Sequence, residues 1–242
     1  MSDITARLAE VEARIRRAEA EYGRTPHSVR LLAVSKRQPI AALRAAYDAG
    51  QRDFGENYLQ EAERKQAALP EANITWHLIG ALQSNKTREA ATRFHWIHTL
   101  DRSKIARRLA EQRPESLEPL NICLQVNISA EPQKAGCLPE AVHELADCVA
   151  QLPRLRLRGL MALPAPATDP VAQRRPFALL RELFDELRRS GFPLDTLSMG
   201  MSADLEAAIA EGANIVRVGT ALFGPRPNHP PSQGTPQTQE EA

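Results

Sequence analysis

Lys36 lies where a lysine is well placed for chemistry. It follows the apolar run at residues 31–34 after a single serine, and Pro39 comes three positions later. Four aliphatic residues in a row predict a strand buried on both faces, and proline is favoured in the first turn of a following helix. Parallel α/β folds bind ligands at the carboxyl ends of such strands. Lys36 is therefore suited to hold a phosphate or to form a Schiff base. The alternative, which its position alone supports equally well, is an ordinary solvated lysine at the end of a strand.

Two later segments have the composition of a phosphate-binding site. Residues 198–202 read Ser-Met-Gly-Met-Ser between a predicted strand and a predicted helix, and Ser202 is a candidate cap for that helix. Gly219 and Thr220 follow the last apolar run, where a glycine lets the backbone approach an anion closely. Serine and glycine are also common in ordinary turns, so an unliganded turn is the alternative for each segment.

Arg217 is a charge inside the apolar run at residues 215–218. A charge buried in a strand is costly unless it is paired. The arginine is therefore either an outward-facing ion-pair partner or a group directed at a ligand. We favour the second interpretation because Gly219 and Thr220, directly after it, already have the character of ligand contacts.

Asn57, His77, Asn85 and Lys86 are weaker candidates. Asn57 begins a predicted helix, so it either contacts a ligand or only caps that helix. Asn85 and Lys86 begin another predicted helix, and the same two interpretations apply to them. His77 lies inside an apolar segment, where a core histidine with satisfied hydrogen bonds is as good an interpretation as a functional one. No pattern typical of zinc proteases, redox dithiols, serine hydrolases or P-loop proteins occurs, so we predict no metal site.

The elements that must position these residues alternate between strands and helices. Helical patterns separate most of the apolar segments, which are spaced by ~20–40 residues. Eight alternating units predict an α/β fold, a single closed (β/α)8 barrel of the TIM type, preceded by an extra N-terminal helix. An open doubly wound sheet is the alternative, although no glycine-rich dinucleotide motif follows the first strand. The predicted strands lie at residues 31–34, 53–55, 76–80, 96–99, 122–127, 157–161, 197–200 and 215–219.

Composition limits the class of protein. The 242 residues fit one domain, for which we set bounds of 1–226, and the proline-rich, polar residues 227–242 predict a disordered tail. Because 31 basic residues balance 30 acidic ones, no overall field indicates nucleic acid or an anionic membrane as a partner. Three cysteines without metal spacing and no apolar span of 18 residues predict a soluble, cytoplasmic protein.

Eight short motifs occur along the sequence: AVSK at 33–36, FGENY at 54–58, WHLIGALQSNK at 76–86, QVNIS at 125–129, KAGC at 134–137, GLMAL at 159–163, SMGMSADLEAAI at 198–209 and VRVGTALFGPR at 216–226. Taken together, these motifs resemble those of a known family, the pyridoxal 5′-phosphate (PLP) homeostasis proteins, also called the YggS/PROSC or PLP-binding-protein family. The resemblance runs from about residue 2 to Arg226. Known members are single-domain barrels of the alanine racemase N-terminal type, the fold of fold-type III PLP proteins.

The resemblance implies a role for each candidate. Lys36 would carry PLP as an internal aldimine, Arg217 would face the pyridine nitrogen, and Asn57 and Met161 would line the ring. The sequence departs from many members after AVSK, where Arg37-Gln38-Pro39 replaces Thr-Lys-Pro, so the second lysine found there in those members is missing. Lys134 is present, and whether it forms a second PLP site stays open. The residues implied to hold the phosphate are Ser198, Gly200, Met201, Ser202, Gly219 and Thr220.

The same resemblance indicates storage of PLP rather than catalysis. An arginine donates a hydrogen bond to the pyridine nitrogen but cannot give it a proton, so the ring is a poor electron sink. Fold-type III racemases take a second base, a tyrosine, from a C-terminal β-domain of the partner subunit, and only about 16 tail-like residues follow Arg226 here. We expect a monomeric carrier that buffers PLP and passes it to PLP-dependent apo-enzymes. The alternatives are a stand-alone amino-acid racemase or lyase, and a Schiff-base aldolase barrel without bound cofactor.

Overall fold

A computed structural model describes residues 3–70, 73–129, 131 and 134–225. Within these residues, eight parallel strands form a closed barrel in which each strand pairs with the next and the last pairs with the first. The barrel confirms the predicted fold class and excludes the open doubly wound sheet. The strands are β1 (Arg30–Val34), β2 (Asp53–Glu56), β3 (Thr75–Leu78), β4 (Trp96–Leu100), β5 (Leu120–Gln125), β6 (Leu155–Met161), β7 (Thr196–Ser198) and β8 (Ile215–Val218).

Helices surround the barrel and connect successive strands. They are α1 (Asp3–Glu21), α2 (Ile40–Asp48), α3 (Leu59–Ala68), α4 (Thr87–Arg93), α5 (Ser103–Gln112), α6 (Val142–Ala150), α7 (Pro170–Arg189), α8 (Leu205–Ala210) and α9 (Thr220–Phe223), with 3₁₀ turns at Ser84–Lys86 and Pro139–Ala141. The predicted extra N-terminal helix is α1, which packs against α2, α8 and α9. Its buried face carries Leu8, Val11 and Ile15, at the spacing that the sequence predicts for a helix.

The main core lies between the outside of the barrel and the helices. Leu43 and Ala46 of α2 and Phe177 and Leu180 of α7 are completely buried there. β8 is buried along its whole length, because helices cover its outer side and the barrel interior receives its other side chains. Burial on both faces explains why the strands read as continuous apolar runs.

The interior of the barrel contains polar side chains as well as apolar ones. Trp96, Cys123 and Met161 form a small buried cluster. His98 on β4 is hydrogen-bonded to Ser198 on β7, and because these strands are not neighbours, the two side chains meet across the interior. Branched aliphatic residues dominate most barrel interiors, so buried polar groups here need a specific explanation.

Three local features differ from, or lie beyond, the sequence predictions. Pro39 is the residue before α2, rather than part of its first turn. α8 is preceded by Asp204, so Ser202 is not its cap. The predicted tail at residues 227–242 lies outside the described residues, and so does the boundary at Arg226. None of the helices within the described ranges is both long and apolar enough to cross a membrane.

Candidate functional site

A cavity of about 290 Å³ opens at the carboxyl ends of the strands. It brings together residues from the ends of β1, β2, β3, β6, β7 and β8, although these are far apart in the sequence. Among the described residues that line it, two are cations and none is a carboxylate, so the cavity favours an anionic ligand. The lining residues are Val34, Lys36, Gln38, Asn57, Ile79, Leu163, Met201, Ser202, Ala203, Arg217, Gly219 and Thr220.

Lys36 is presented by a tight turn after β1. The turn is closed by a hydrogen bond of 3.0 Å from the Gln38 N–H to the Ser35 carbonyl. Arg37, beside the lysine, has a φ of 59°. A non-glycine residue in the left-handed region is strained and persists only when its surroundings enforce it. Here the Arg37 N–H donates to Glu61 Oε1 at 2.5 Å, which fixes the strained peptide and with it the direction of Lys36.

A buried ionic cluster supports this turn from below. We call Ser35, Glu56, Glu61 and Lys65 the Lys65 cluster. Lys65 Nζ lies 2.6 Å from the Ser35 carbonyl oxygen and 2.7 Å from both Glu56 Oε1 and Glu61 Oε1. The Ser35 hydroxyl donates to Glu56 Oε1 at 2.5 Å. Burial raises the pKa of Glu56, against the opposing effect of Lys65. The sequence analysis did not identify this cluster, although Glu56, a charge that ends the apolar segment of β2, is the same kind of signal as Arg217.

Arg217 projects inward and reaches the cavity. It is only 4% exposed. Its NH1 group donates to the Ser198 carbonyl at 2.5 Å and to Ser198 Oγ at 2.9 Å, and NH2 donates to the Ala162 carbonyl at 2.8 Å. Burial lowers the pKa of Arg217 to about 10, so it is still a cation at neutral pH. Because its partners are neutral oxygens inside the barrel, the alternative of an outward-facing ion pair does not hold.

Asn57 and Gly219 line the cavity on the two sides of β1, since they follow β2 and β8. Asn57 Oδ1 is buried and has no hydrogen-bonding partner among the described residues, which is unusual for a buried amide and leaves an acceptor for a ligand. A Cβ atom on Gly219 would lie 3.2 Å from the Val34 carbonyl oxygen, tighter than most Cβ contacts. Glycine at this position therefore allows the ends of β1 and β8 to approach closely beside Lys36.

Three of the ten predicted cofactor contacts, Met161, Ser198 and Gly200, are not among the residues that line the cavity. Met161 is completely buried inside the barrel against Trp96 and Cys123, so its side chain does not line the cavity. The Ser198 side chain is hydrogen-bonded to Arg217 and His98.

Gly200 is needed for the close turn between β7 and α8. It has a φ of 89°, and a Cβ atom there would lie 2.6 Å from Ala208 Cβ. Asp204 shapes the same loop, because its Oδ1 accepts from the Met201 N–H at 2.6 Å. The side chains of Met201 and Ser202 are left on the cavity wall.

His77 belongs to a series of hydrogen bonds that ends at Arg217. We call Asp53, His77, His98 and Ser198 the histidine relay. Asp53 Oδ1 lies 2.9 Å from His77 Nε2, and His77 Nδ1 lies 2.9 Å from His98 Nε2. His98 Nδ1 lies 2.8 Å from Ser198 Oγ, which accepts from Arg217. His77 is thus a core histidine with two satisfied nitrogens.

The remaining two candidates lie apart from the cavity. Asn85 and Lys86 belong to the 3₁₀ turn after β3. Lys86 is partly exposed and pairs with Glu89 at 3.5 Å. It lines a neighbouring groove that shares Asn57 with the cavity.

Comparison with known proteins agrees with the fold and the motifs. The model of the alanine racemase N-terminal domain family matches residues 7–227. The pyridoxal phosphate homeostasis protein of Pseudomonas aeruginosa is 60% identical over 226 residues, which cover 93% of this chain and 97% of the relative. The chain belongs to the pyridoxal phosphate homeostasis protein family.

A second relative and a solved structure are similar over nearly the same length. The Escherichia coli protein is 50% identical over 232 residues, covering 93% of this chain and 98% of its own. The structure of PipY from Synechococcus elongatus with PLP bound superposes with a TM-score of 0.81 at 40% identity, over 92% of this chain and 100% of that chain. The family assignment made from the sequence motifs is therefore confirmed.

Proposed function

We propose that this chain binds PLP reversibly as an aldimine on Lys36 and acts in intracellular PLP homeostasis, as a buffer and a donor to PLP-dependent apo-enzymes. The observation that carries the proposal is the cavity itself, in which one lysine and one buried arginine face the same space without a lining carboxylate among the described residues. The names of the relatives and the PLP bound to PipY support the choice of ligand.

The lining residues fit PLP in three respects. The positive charge of the lining suits a ligand that carries a phosphate dianion, and the loops after β7 and β8, with Ser202, Gly219 and Thr220, are the usual phosphate site of such barrels. The buried Asn57 Oδ1 offers an acceptor to the ring hydroxyl. Lys36 supplies a primary amine at the end of β1. These assignments, with Met201 beside Ser202 and with backbone contacts from Ser198 and Gly200, are part of the proposal.

Arg217 determines which chemistry the site favours. Bound PLP supplies an aldehyde that reacts with amines and a ring that accepts electron density, most strongly when its nitrogen is protonated. With a pKa of about 10, Arg217 is a cation that donates hydrogen bonds and accepts none, so it provides no proton acceptor to hold that nitrogen protonated. This supports a role in holding PLP rather than in stabilising carbanions.

We further propose a monomer that acts in the cytoplasm without catalytic activity of its own. All three cysteines are free thiols, which suits a reducing compartment. The competing function is that of an amino-acid racemase or lyase, and the match to the alanine racemase N-terminal family model favours testing it.

The proposal is tested on the wild-type chain loaded with PLP. We expect a visible absorption band that borohydride removes, and a reduced adduct that peptide mass spectrometry maps to Lys36. Deuterium exchange at Cα of alanine, followed by NMR, should stay near the rate of free PLP, because each absent acid–base group typically costs ~10²–10⁴ in rate. An adduct on another lysine would contradict the site, and exchange several thousandfold above the control would show an enzyme.

A further inference from the structure

The histidine relay connects the two ends of the barrel. Asp53 is the first residue of β2, at the amino end, and its side chain is 23% exposed. Arg217 lies at the other end, in the wall of the cavity. Between them the imidazoles of His77 and His98 and the hydroxyl of Ser198 form an unbroken series of hydrogen bonds. In such a series, the position of each hydrogen constrains the next one.

The two ends of the relay require the same direction of donation. A guanidinium only donates, so Ser198 Oγ accepts from Arg217 and has its own hydrogen for His98 Nδ1. A carboxylate only accepts, so His77 Nε2 carries a hydrogen and donates to Asp53. His77 Nδ1 must then accept from His98 Nε2. Both imidazoles are therefore neutral, with the hydrogen on Nε2.

The protonation behaviour of the two rings agrees with this arrangement. Burial lowers the pKa of His77, although its hydrogen bond to Asp53 opposes the change. Burial also lowers the pKa of His98 to well below its ordinary value, and the positive charge of Arg217 adds to the effect. Neutral rings in a fixed tautomer carry orientation without adding a charge beside Arg217.

The relay acts on Arg217 through Ser198. NH1 uses both of its hydrogens on Ser198, and NH2 uses one on Ala162. Nε–H and the second NH2 hydrogen have no partner among the described residues, so these donors are available to a ligand. Their direction depends on where the Ser198 hydroxyl holds the planar guanidinium. The two buried histidines need hydrogen-bonding partners, but those partners need not be connected to a residue in the cavity wall. The link to Arg217 therefore indicates a role beyond satisfying the two rings.

We propose that Asp53, His77 and His98 are positioning residues for Arg217, which fix the Ser198 hydroxyl so that the free N–H groups of the guanidinium face the ligand. The proposal rests on the proposed function, in that PLP is the ligand concerned. It makes Asp53, at the opposite end of the barrel, a determinant of PLP affinity that never contacts PLP.

The first measurement needs neither a variant nor PLP. Nitrogen-15 NMR of the wild-type protein distinguishes the two histidine tautomers, and we expect His77 and His98 to be neutral and protonated on Nε2. A signal from either ring showing Nδ1–H or a cation at neutral pH would overturn the proposal, and this result does not depend on whether the chain binds PLP.

The second measurement is PLP affinity in a matched set of variants. We expect Asp53→Asn to weaken binding by roughly threefold to tenfold, because an amide can donate as well as accept and so loosens the order of the relay. Ser198→Ala should weaken binding about tenfold or more. Cys123→Ala removes one non-hydrogen atom from an interior side chain outside the relay that is as completely buried as Ser198, and it should leave affinity unchanged.

The outcomes separate the two proposals. Wild-type protein that fails to bind PLP would contradict the proposed function, whatever the tautomers are. Wild-type binding with Asp53→Asn indistinguishable from Cys123→Ala would contradict the relay alone. If Asp53→Asn does not fold, the tautomers of the wild-type protein decide the question.

Discussion

Lys36 and Arg217 face one cavity, but the groups that hold them differ in kind. The turn of Lys36 is supported by the Lys65 cluster, in which a buried ammonium and two carboxylates meet outside the cavity. Arg217 is held by carbonyl and hydroxyl oxygens and, through Ser198, by two neutral imidazoles. The ionic support fixes a backbone turn, whereas the neutral support fixes a side chain and leaves its charge for the ligand.

Loss of Lys36 should have the largest effect, because it removes the nucleophile and leaves both supports intact. We expect Lys36→Ala to abolish the visible band and the borohydride-reducible adduct while the melting temperature changes little, since the side chain is only half-buried. Absorption spectra and mass spectrometry after reduction measure this. Lys104→Ala, at an exposed position of α5, is the control and should retain the adduct. If borohydride still traps PLP in the same cavity of Lys36→Ala, on another amine, the assignment of Lys36 is contradicted.

Loss of the Lys65 cluster should mainly lower the free energy of unfolding. Lys65→Met leaves the carboxylate of Glu56 buried without its cation, and breaking a buried ion pair in this way typically costs ~3–5 kcal/mol. Urea unfolding measures the change. The double variant Lys65→Met/Glu56→Gln should recover part of it, because Glu61, which is 14% exposed and still accepts from the Arg37 N–H, is then the carboxylate of the cluster that remains without the cation. Equal losses in the single and double variants would show that Lys65 acts through packing rather than through its charge.

Removing Arg217 should weaken PLP binding and leave the adduct chemistry in place. Arg217→Met keeps a long apolar side chain but loses charge-assisted hydrogen bonds, at about 1.5–3 kcal/mol. Equilibrium dialysis should show the weaker affinity, and borohydride should still trap PLP on Lys36. If affinity is unchanged and only thermal stability falls, Arg217 serves the barrel rather than the ligand.

The two supports should respond to pH with opposite sign. His77 and His98 have lowered pKa values in the folded state, so their contribution to stability is present above pH 6.5 and is lost as the pH falls through those lower values. Glu56 has a raised pKa, so its contribution is present below about pH 4.5 and is lost as the pH rises through the raised value.

Urea unfolding between pH 7 and about pH 4 tests this difference, because the range reaches below the ordinary pKa of a glutamate. Each lowered histidine contributes at most about 1.4 kcal/mol per pH unit below its ordinary pKa. His98→Phe should therefore lose less stability on acidification than the wild type. Glu56→Gln should lose more, since it lacks the group whose contribution returns at low pH. Parallel curves for all three proteins would contradict the assignment of either support.

The barrel could be predicted because its signals are local. Apolar runs such as those of β1 and β8 identify their own strands, and Arg217 stands out inside one of them. The directions of Met161 and Ser198 could not be predicted in the same way, since only the closed barrel shows that both side chains point into its interior. The Lys65 cluster was missed because a charged residue on a helix such as α3 is ordinarily solvent-exposed.

The strained turn beside Lys36 has a consequence for how this chain tolerates variation. Arg37 holds a backbone conformation that glycine and asparagine adopt more readily. In a library of variants at this position, selection for folding alone should enrich those two residues. Selection for PLP capture should act against glycine, because its extra backbone freedom lets the lysine change direction. The residues recovered at position 37 would thus report which of the two requirements has shaped the turn.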